Sequence, residues 1–450
     1  MKTSPVTRRQ FVKTSYTAAG AALLAPVVFP SADSQAASQS KPALLGGKPA
    51  VEGPFPEWPM IEPLDEEKFM DALRRKAWCR LYDNITTTFE NAWAEKLGVK
   101  YCVATVNGTN SLYTALYALD VGPGDEVLIP PYTFVATLNA ILQQYALPVF
   151  VDTDIQTFQM DPQSMAGKIT ENTRCVIPVH LGGIVADMDA ILANAQKYQI
   201  AVIEDACQAH ISEWKGRRVG GLGDIGCFSF QSTKILPCGE GGACVTQRED
   251  LYDKIHAFHN NGRDRLTGTR KGYLHQGSNL RMTEYQSALL LAQLTRLDAQ
   301  CRHREENAKY LSELLKEIPG IRPAVQYPQQ SKNGYYLYMM HYDKEPFEGL
   351  PRARFIEALN KEGVSCYGGY RPLNKEPFLK TLLDSRWYKK LFPPERLKQY
   401  WETNECPVND RLCEEGLFMS HECLMGTRSQ IEQIAVAIRR IKAHAKELQA

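Results

Sequence analysis

From about residue 100 the chain alternates short apolar runs with amphipathic stretches of helical period. "YCVATV" leads into "GTNSLYTALYAL", "DEVLIPP" into "TFVATLNAILQQYA", and "TRCVIPVH" into "DMDAILANAQKYQ"; "LPVFVD", "IAVIED", "IGCFSF" and "GGACVTQ" are further apolar runs. Strands that are apolar throughout, separated by helices with one apolar stripe, predict a mostly parallel sheet covered on both faces, an α/β domain. A long helical stretch, "TEYQSALLLAQLTRLDAQCRHREENAKYLSELLKEI", closes it. After it, "YYLYMMHYD" reads as a strand and "RARFIEALNKEG" and "RSQIEQIAVAIRRIKAH" as helices, predicting a smaller C-terminal α+β domain. A chain of 450 residues is long enough for two such cores.

The N-terminus is set apart from this fold. "TRRQFVK" at residues 7–13 is followed by the weakly apolar "TAAGAALLAPVVF" and by "SADSQAAS", the order of a twin-arginine export signal with Arg8 and Arg9 as its pair. The expected division is a signal at 1–36, an arm at 37–60, a large α/β domain at 61–300 and the small domain at 301–450. Past the signal no run approaches the roughly 20 apolar residues of a membrane helix. The formal net charge of +1 comes without long basic or acidic blocks, which gives no support to a nucleic-acid or membrane-surface role and points to a small-molecule partner. The twelve cysteines are scattered, without CxxC pairs; Cys207, Cys227 and Cys244 sit in apolar runs as core thiols. No metal site is expected: His421 beside Glu422 lacks a second histidine, since position 425 is methionine.

On open parallel sheets, ligands bind at the carboxyl ends of the strands, and polar groups of this chain fall there. "ATVNGTNS" leaves a strand through Asn107 and Gly108 and enters a helix at Thr109, either an anion cradle or a plain helix cap. Asp205 ends the apolar strand of "AVIEDACQAH", where a charged carboxylate needs a partner; the bland reading is a cap for the next turn. Lys234 follows "CFSF" and precedes the flexible "CGEGG", as either a nucleophilic amine or a solvated charge. Together the three match the needs of pyridoxal phosphate: an anchor for the phosphate, an acid partner for the pyridine nitrogen, and an amine for the aldehyde.

The chain also resembles the DegT/DnrJ/EryC1/StrS family of pyridoxal-phosphate-dependent sugar and cyclitol aminotransferases, of fold type I. The matching stretches include "NGTNSLYTALYAL", "GPGDEVLIPPYTFVATLNAI", "PVHLGGIVADMD", "VIEDACQAH", "GDIGCFSFQSTKILPCGEGGACVT" and "GSNLRMTEYQSALLLAQL". The resemblance implies that Gly108, Thr109 and Ser229 hold the phosphate, that Phe134 stacks near the ring with Gln208 beside it, that Asp205 binds the pyridine nitrogen, and that Lys234 carries the cofactor covalently. It further implies a homodimer with shared sites, in which Asn279 reaches the phosphate of the neighbouring subunit. His180, Tyr370 and Arg371 are candidates for the acceptor or for structural hydrogen bonds. The expected reaction is transamination of a keto-sugar or keto-cyclitol with glutamate or glutamine as donor; the alternative is a cofactor-binding sensor without turnover. The family's dehydratase branch has histidine in place of the lysine, so Lys234 argues against it.

Overall fold

A computed structural model describes residues 40–76 and 78–449; the expected signal at 1–36 lies outside the described residues. Seven strands form the central sheet: β1 (Tyr101–Thr105), β2 (Glu126–Ile129), β3 (Leu147–Phe150), β4 (Thr173–Val176), β5 (Ala201–Asp205), β6 (Ile225–Ser229) and β7 (Gly242–Thr246). Their spatial order is β1-β7-β6-β5-β4-β2-β3. Only β7 runs antiparallel, against both β1 and β6, so the expected mostly parallel α/β sheet is what forms.

Alternation along the strands explains why both faces are covered. On β2, Leu128 points into one core with Phe89, Trp93 and Phe228, while Val127 and Ile129 point into the other with Leu112 and Ile141. Each of these large side chains is buried, and each contributes about 1.5–3 kcal/mol by leaving water.

A second, antiparallel sheet contains β8 (Ile321–Pro323), β9 (Leu337–Tyr342), β10 (Cys366–Gly368) and β11 (Gly416–Ser420) in the order β8-β9-β11-β10. The expected helices over Arg352–Lys361 and Arg428–Ala443 both form and pack in its core. The N-terminal arm is bolted to this domain: the buried Glu362 carboxylate accepts from the amides of Ala43 (2.8 Å) and Ala50 (2.7 Å) and from Arg440 (2.9 Å).

Two features differ from the sequence expectation. The single long helix is two, Glu284–Leu294 and Leu297–Leu315. At the break Arg296 is drawn to Asp65 (2.6 Å) and to the Met60 carbonyl (2.8 Å), which fasten the first helix of the large domain onto the junction. The second feature is the stretch from Leu373 to Cys406, which lies beyond residue 300 yet packs in a core of the central sheet. It covers the open edge of β3: Tyr388 donates to the Ala146 carbonyl (3.0 Å), Tyr400 to the Pro148 carbonyl (2.8 Å), and Asn404 accepts from the Phe150 amide (2.6 Å). Satisfying an edge strand with side chains removes a template for unwanted pairing. The twelve cysteines are free, and nine of them are buried as core thiols. Among the described residues no helix is long and apolar enough to cross a membrane, and no cluster of potential metal ligands occurs.

Candidate active site

The carboxyl ends of β1, β5 and β6 open onto one cavity of about 500 Å³. β1 hands over to the helix Gly108–Ala118, whose cap is Asn107 accepting from the Asn110 amide at 2.9 Å. A Cβ on Gly108 would stand 2.7 Å from the Ser229 Cβ and 3.0 Å from the Cys207 sulfur. Only glycine lets this helix start against the end of β6. The helix N-terminus, with first-turn amides that have no intrahelical acceptor, therefore faces the cavity beside Thr109 and Ser229, an arrangement suited to an anion.

Asp205 closes β5 on the cavity floor and is 5% exposed. Its carboxylate accepts from the Thr137 hydroxyl at 2.8 Å and from the Cys207 amide at 3.2 Å. One oxygen caps the following turn, as the cap reading has it, and the carboxylate also lines the cavity. Lys234 enters from the turn after β6, its ammonium 4.1 Å from the centre of the Tyr336 ring. Gln208 is held at both ends: its oxygen accepts from the Gly182 amide (3.0 Å) and its amide donates to the Tyr370 hydroxyl (2.9 Å). Burial pushes the Tyr370 phenol well above its ordinary value, so it stays protonated at neutral pH.

Eight sequence candidates thus come together around one space: Gly108, Thr109, Phe134, Asp205, Gln208, Ser229, Lys234 and Tyr370. Phe134 stands at the mouth, 56% exposed in the single chain. Three candidates lie elsewhere. His180 is fully buried: its Nδ1 accepts from the Ala186 amide (3.3 Å), so its Nε2 carries the proton and donates to Glu204 (3.0 Å). With both ring nitrogens engaged away from the cavity, His180 is a structural group and not an acceptor contact. Arg371 and Asn279 are exposed and outside the cavity of one chain, Asn279 bridging by its backbone to Asn260.

Three further residues at the site are not marked in the sequence: Thr137, whose hydroxyl bonds Asp205, and Tyr336 and Thr233 beside Lys234. Thr137 carries no signal beyond its place in "TFVATLNAI", one residue of a helix that happens to pass the end of β5. Tyr336 reads as part of a strand and is brought in only when the small domain docks.

The sequence model of the DegT/DnrJ/EryC1/StrS aminotransferase family matches residues 60–390. L-Glutamine:2-deoxy-scyllo-inosose aminotransferase of Streptoalloteichus tenebrarius is 34% identical over 428 residues, covering 91% of this chain and 99% of the relative. L-Glutamine:scyllo-inosose aminotransferase of Streptomyces griseus is 33% identical over 426 residues, covering 90% and 98%. The X-ray structure of an aminotransferase from Psychrobacter cryohalolentis superposes with a TM-score of 0.74 at 31% identity, covering 86% of this chain and 98% of that one.

Proposed function

The chain belongs to the DegT/DnrJ/EryC1/StrS aminotransferase family, and from that premise we propose that it moves an amino group from glutamine or glutamate to a keto-cyclitol or keto-sugar, with pyridoxal phosphate as cofactor. The observation that carries this reading is the convergence of an anion-binding helix start, a carboxylate and an amine on one cavity of about 500 Å³. The donor set fits the cofactor. Gly108, Thr109 and Ser229 would hold the phosphate, Asp205 the pyridine nitrogen, and Lys234 the aldehyde carbon. When bound, pyridoxal phosphate supplies an electron sink for the carbon being deprotonated and stores the amino group between donor and acceptor.

The protein's own groups do the rest. Asp205, fixed by Thr137 and Cys207, would present its carboxyl group to the ring nitrogen. Lys234 Nζ, when not covalently engaged, takes a proton from the donor's α-carbon and returns it within the same cavity. Gln208, locked between Gly182 and Tyr370, sets one wall. The relatives named for inososes favour a cyclic polyol ketone as acceptor. The alternative, a cofactor-binding regulator without turnover, has no observation in its favour.

A homodimer and export belong to the same proposal. Supporting the dimer, Phe134 at the cavity mouth and Phe69, Trp78, Leu81 and Tyr82 leave large apolar area exposed on a single chain. Supporting export is Arg8-Arg9 within "TRRQFVK"; an acceptor free of a nucleotide would suit a site outside the cytoplasm. The function is tested by giving purified protein glutamine and then a panel of inososes and keto-sugars, following the cofactor by absorbance. No amino transfer from any donor would reject it. Cofractionation of an Arg8→Lys/Arg9→Lys chain with the cytoplasm checks export. Mixing inactive Lys234→Ala and Asn279→Ala chains checks the shared site: about a quarter of wild-type activity returns if Asn279 acts across the interface of a freely exchanging dimer, and none if it acts within its own chain.

A further inference from the structure

Three side chains from outside the central sheet converge on the Thr233–Lys234 turn. Trp58 of the N-terminal arm donates its indole N–H to the Lys234 carbonyl at 3.1 Å. His421, just past β11, donates from Nε2 to the Thr233 carbonyl at 3.0 Å. Tyr336, just before β9, lays its ring 4.1 Å from Lys234 Nζ and its hydroxyl 3.2 Å from the Thr233 hydroxyl. The three also touch one another: Trp58 meets His421 edge to face at 4.7 Å, and Tyr336 lies 5.9 Å from His421.

Each contact has a definite physical effect. The two carbonyl bonds fix the backbone of the turn from which the lysine stem departs. His421 is 2% exposed, and burial holds its imidazole below its ordinary value, so it is the neutral Nε2–H tautomer that donates. Its Nδ1 has no hydrogen-bond partner among the described residues, which leaves Thr233 as the one bond that histidine makes. The Tyr336 ring attracts the ammonium across 4.1 Å. A free lysine stem of four carbons samples many rotamers; a ring at 4.1 Å and a fixed turn select few of them.

We propose that Trp58, Tyr336 and His421 form a clamp that positions Lys234, so that the direction of its amine is set by the arm and the small domain as well as by the central sheet. This rests on reading Lys234 as the amine that takes the cofactor's aldehyde. It also gives His421 a role that its sequence neighbours, which lack a metal partner, do not suggest.

The test uses the full mature chain, freed of cofactor and reloaded. With pyridoxal phosphate, the rate of the yellow covalent linkage is followed by absorbance, in which the lysine amine condenses with the aldehyde and one water leaves; borohydride trapping and mass spectrometry identify the lysine. With pyridoxamine phosphate, which has no aldehyde, affinity reports the rest of the site alone. Tyr336→Leu and His421→Leu are expected to slow linkage about tenfold while pyridoxamine phosphate affinity stays within about twofold, and Tyr336→Phe, which keeps the ring, restores most of the rate. Linkage at the wild-type rate in Tyr336→Leu overturns the clamp. So does an equal loss of rate and of pyridoxamine phosphate affinity, which is the mark of general damage. If the wild-type chain is trapped at a lysine other than Lys234, the underlying reading of the site fails instead, an outcome separable from both.

Discussion

Glu204 and Asp205 are neighbours on β5, and the pleat sends them to opposite faces of the sheet. Both are carboxylates, and both are buried. Glu204 accepts from His180 at 3.0 Å and from the amides of Gly220, Leu222 and Gly223 at 2.7 Å each. A carboxylate offers about four lone-pair sites, so Glu204 has none to spare. Among the described residues Asp205 accepts from Thr137 and Cys207 alone, and its carboxylate lines the cavity. The lesson is that residue type and burial do not separate a rivet from a working group. What separates them is whether the protein itself uses up the hydrogen-bonding capacity.

The sharpest way to break this comparison is to remove the groups with unused capacity. Lys234→Ala should abolish the covalent linkage and lower amino transfer by about 10⁴-fold, and Asp205→Ala by about 10³-fold, with thermal midpoints little changed. An Asp205→Ala protein that unfolds easily yet turns over normally would reverse its place in the comparison. Next in size is the saturated side. Glu204→Ala strands His180 and three amides without an acceptor and should cost about 3–5 kcal/mol, read in a denaturant titration, while the fraction still folded keeps its cofactor stoichiometry. Loss of activity at unchanged stability would show that Glu204 belongs to the chemistry after all. The smallest effect sharpens the boundary between the two regions. Gly108→Ala pushes a methyl against Ser229 and should cost about 1–3 kcal/mol, felt as weaker cofactor binding more than as a lower kcat, which a cofactor titration of the purified variant measures.

Much of this was legible from the chain. The α/β alternation, the antiparallel small domain's main strand and helices, and the convergence of Gly108, Asp205 and Lys234 all follow from local pattern and from the rule that strand ends carry sites. For His180 the sequence leaves an acceptor contact and a structural hydrogen bond both open, because "PVHLGG" places a histidine at a strand end without saying which way its ring turns; the bond to buried Glu204 selects the structural one. Chain order alone puts the stretch from Leu373 to Cys406 with the small domain, and nothing local marks Tyr388, Tyr400 and Asn404 as partners of β3.

By itself the sequence determined the periodicities and set a glycine, an aspartate and a lysine at separate strand ends, since each of these places is marked by its own local pattern. The tertiary structure alone decided which carboxylate is saturated, which histidine is idle toward substrate and which aromatic side chains hold the lysine. Those outcomes depend on donors and acceptors that lie tens to hundreds of residues apart, such as Thr137 with Asp205 or Trp58 with Lys234, and meet only once the arm and both sheets have packed.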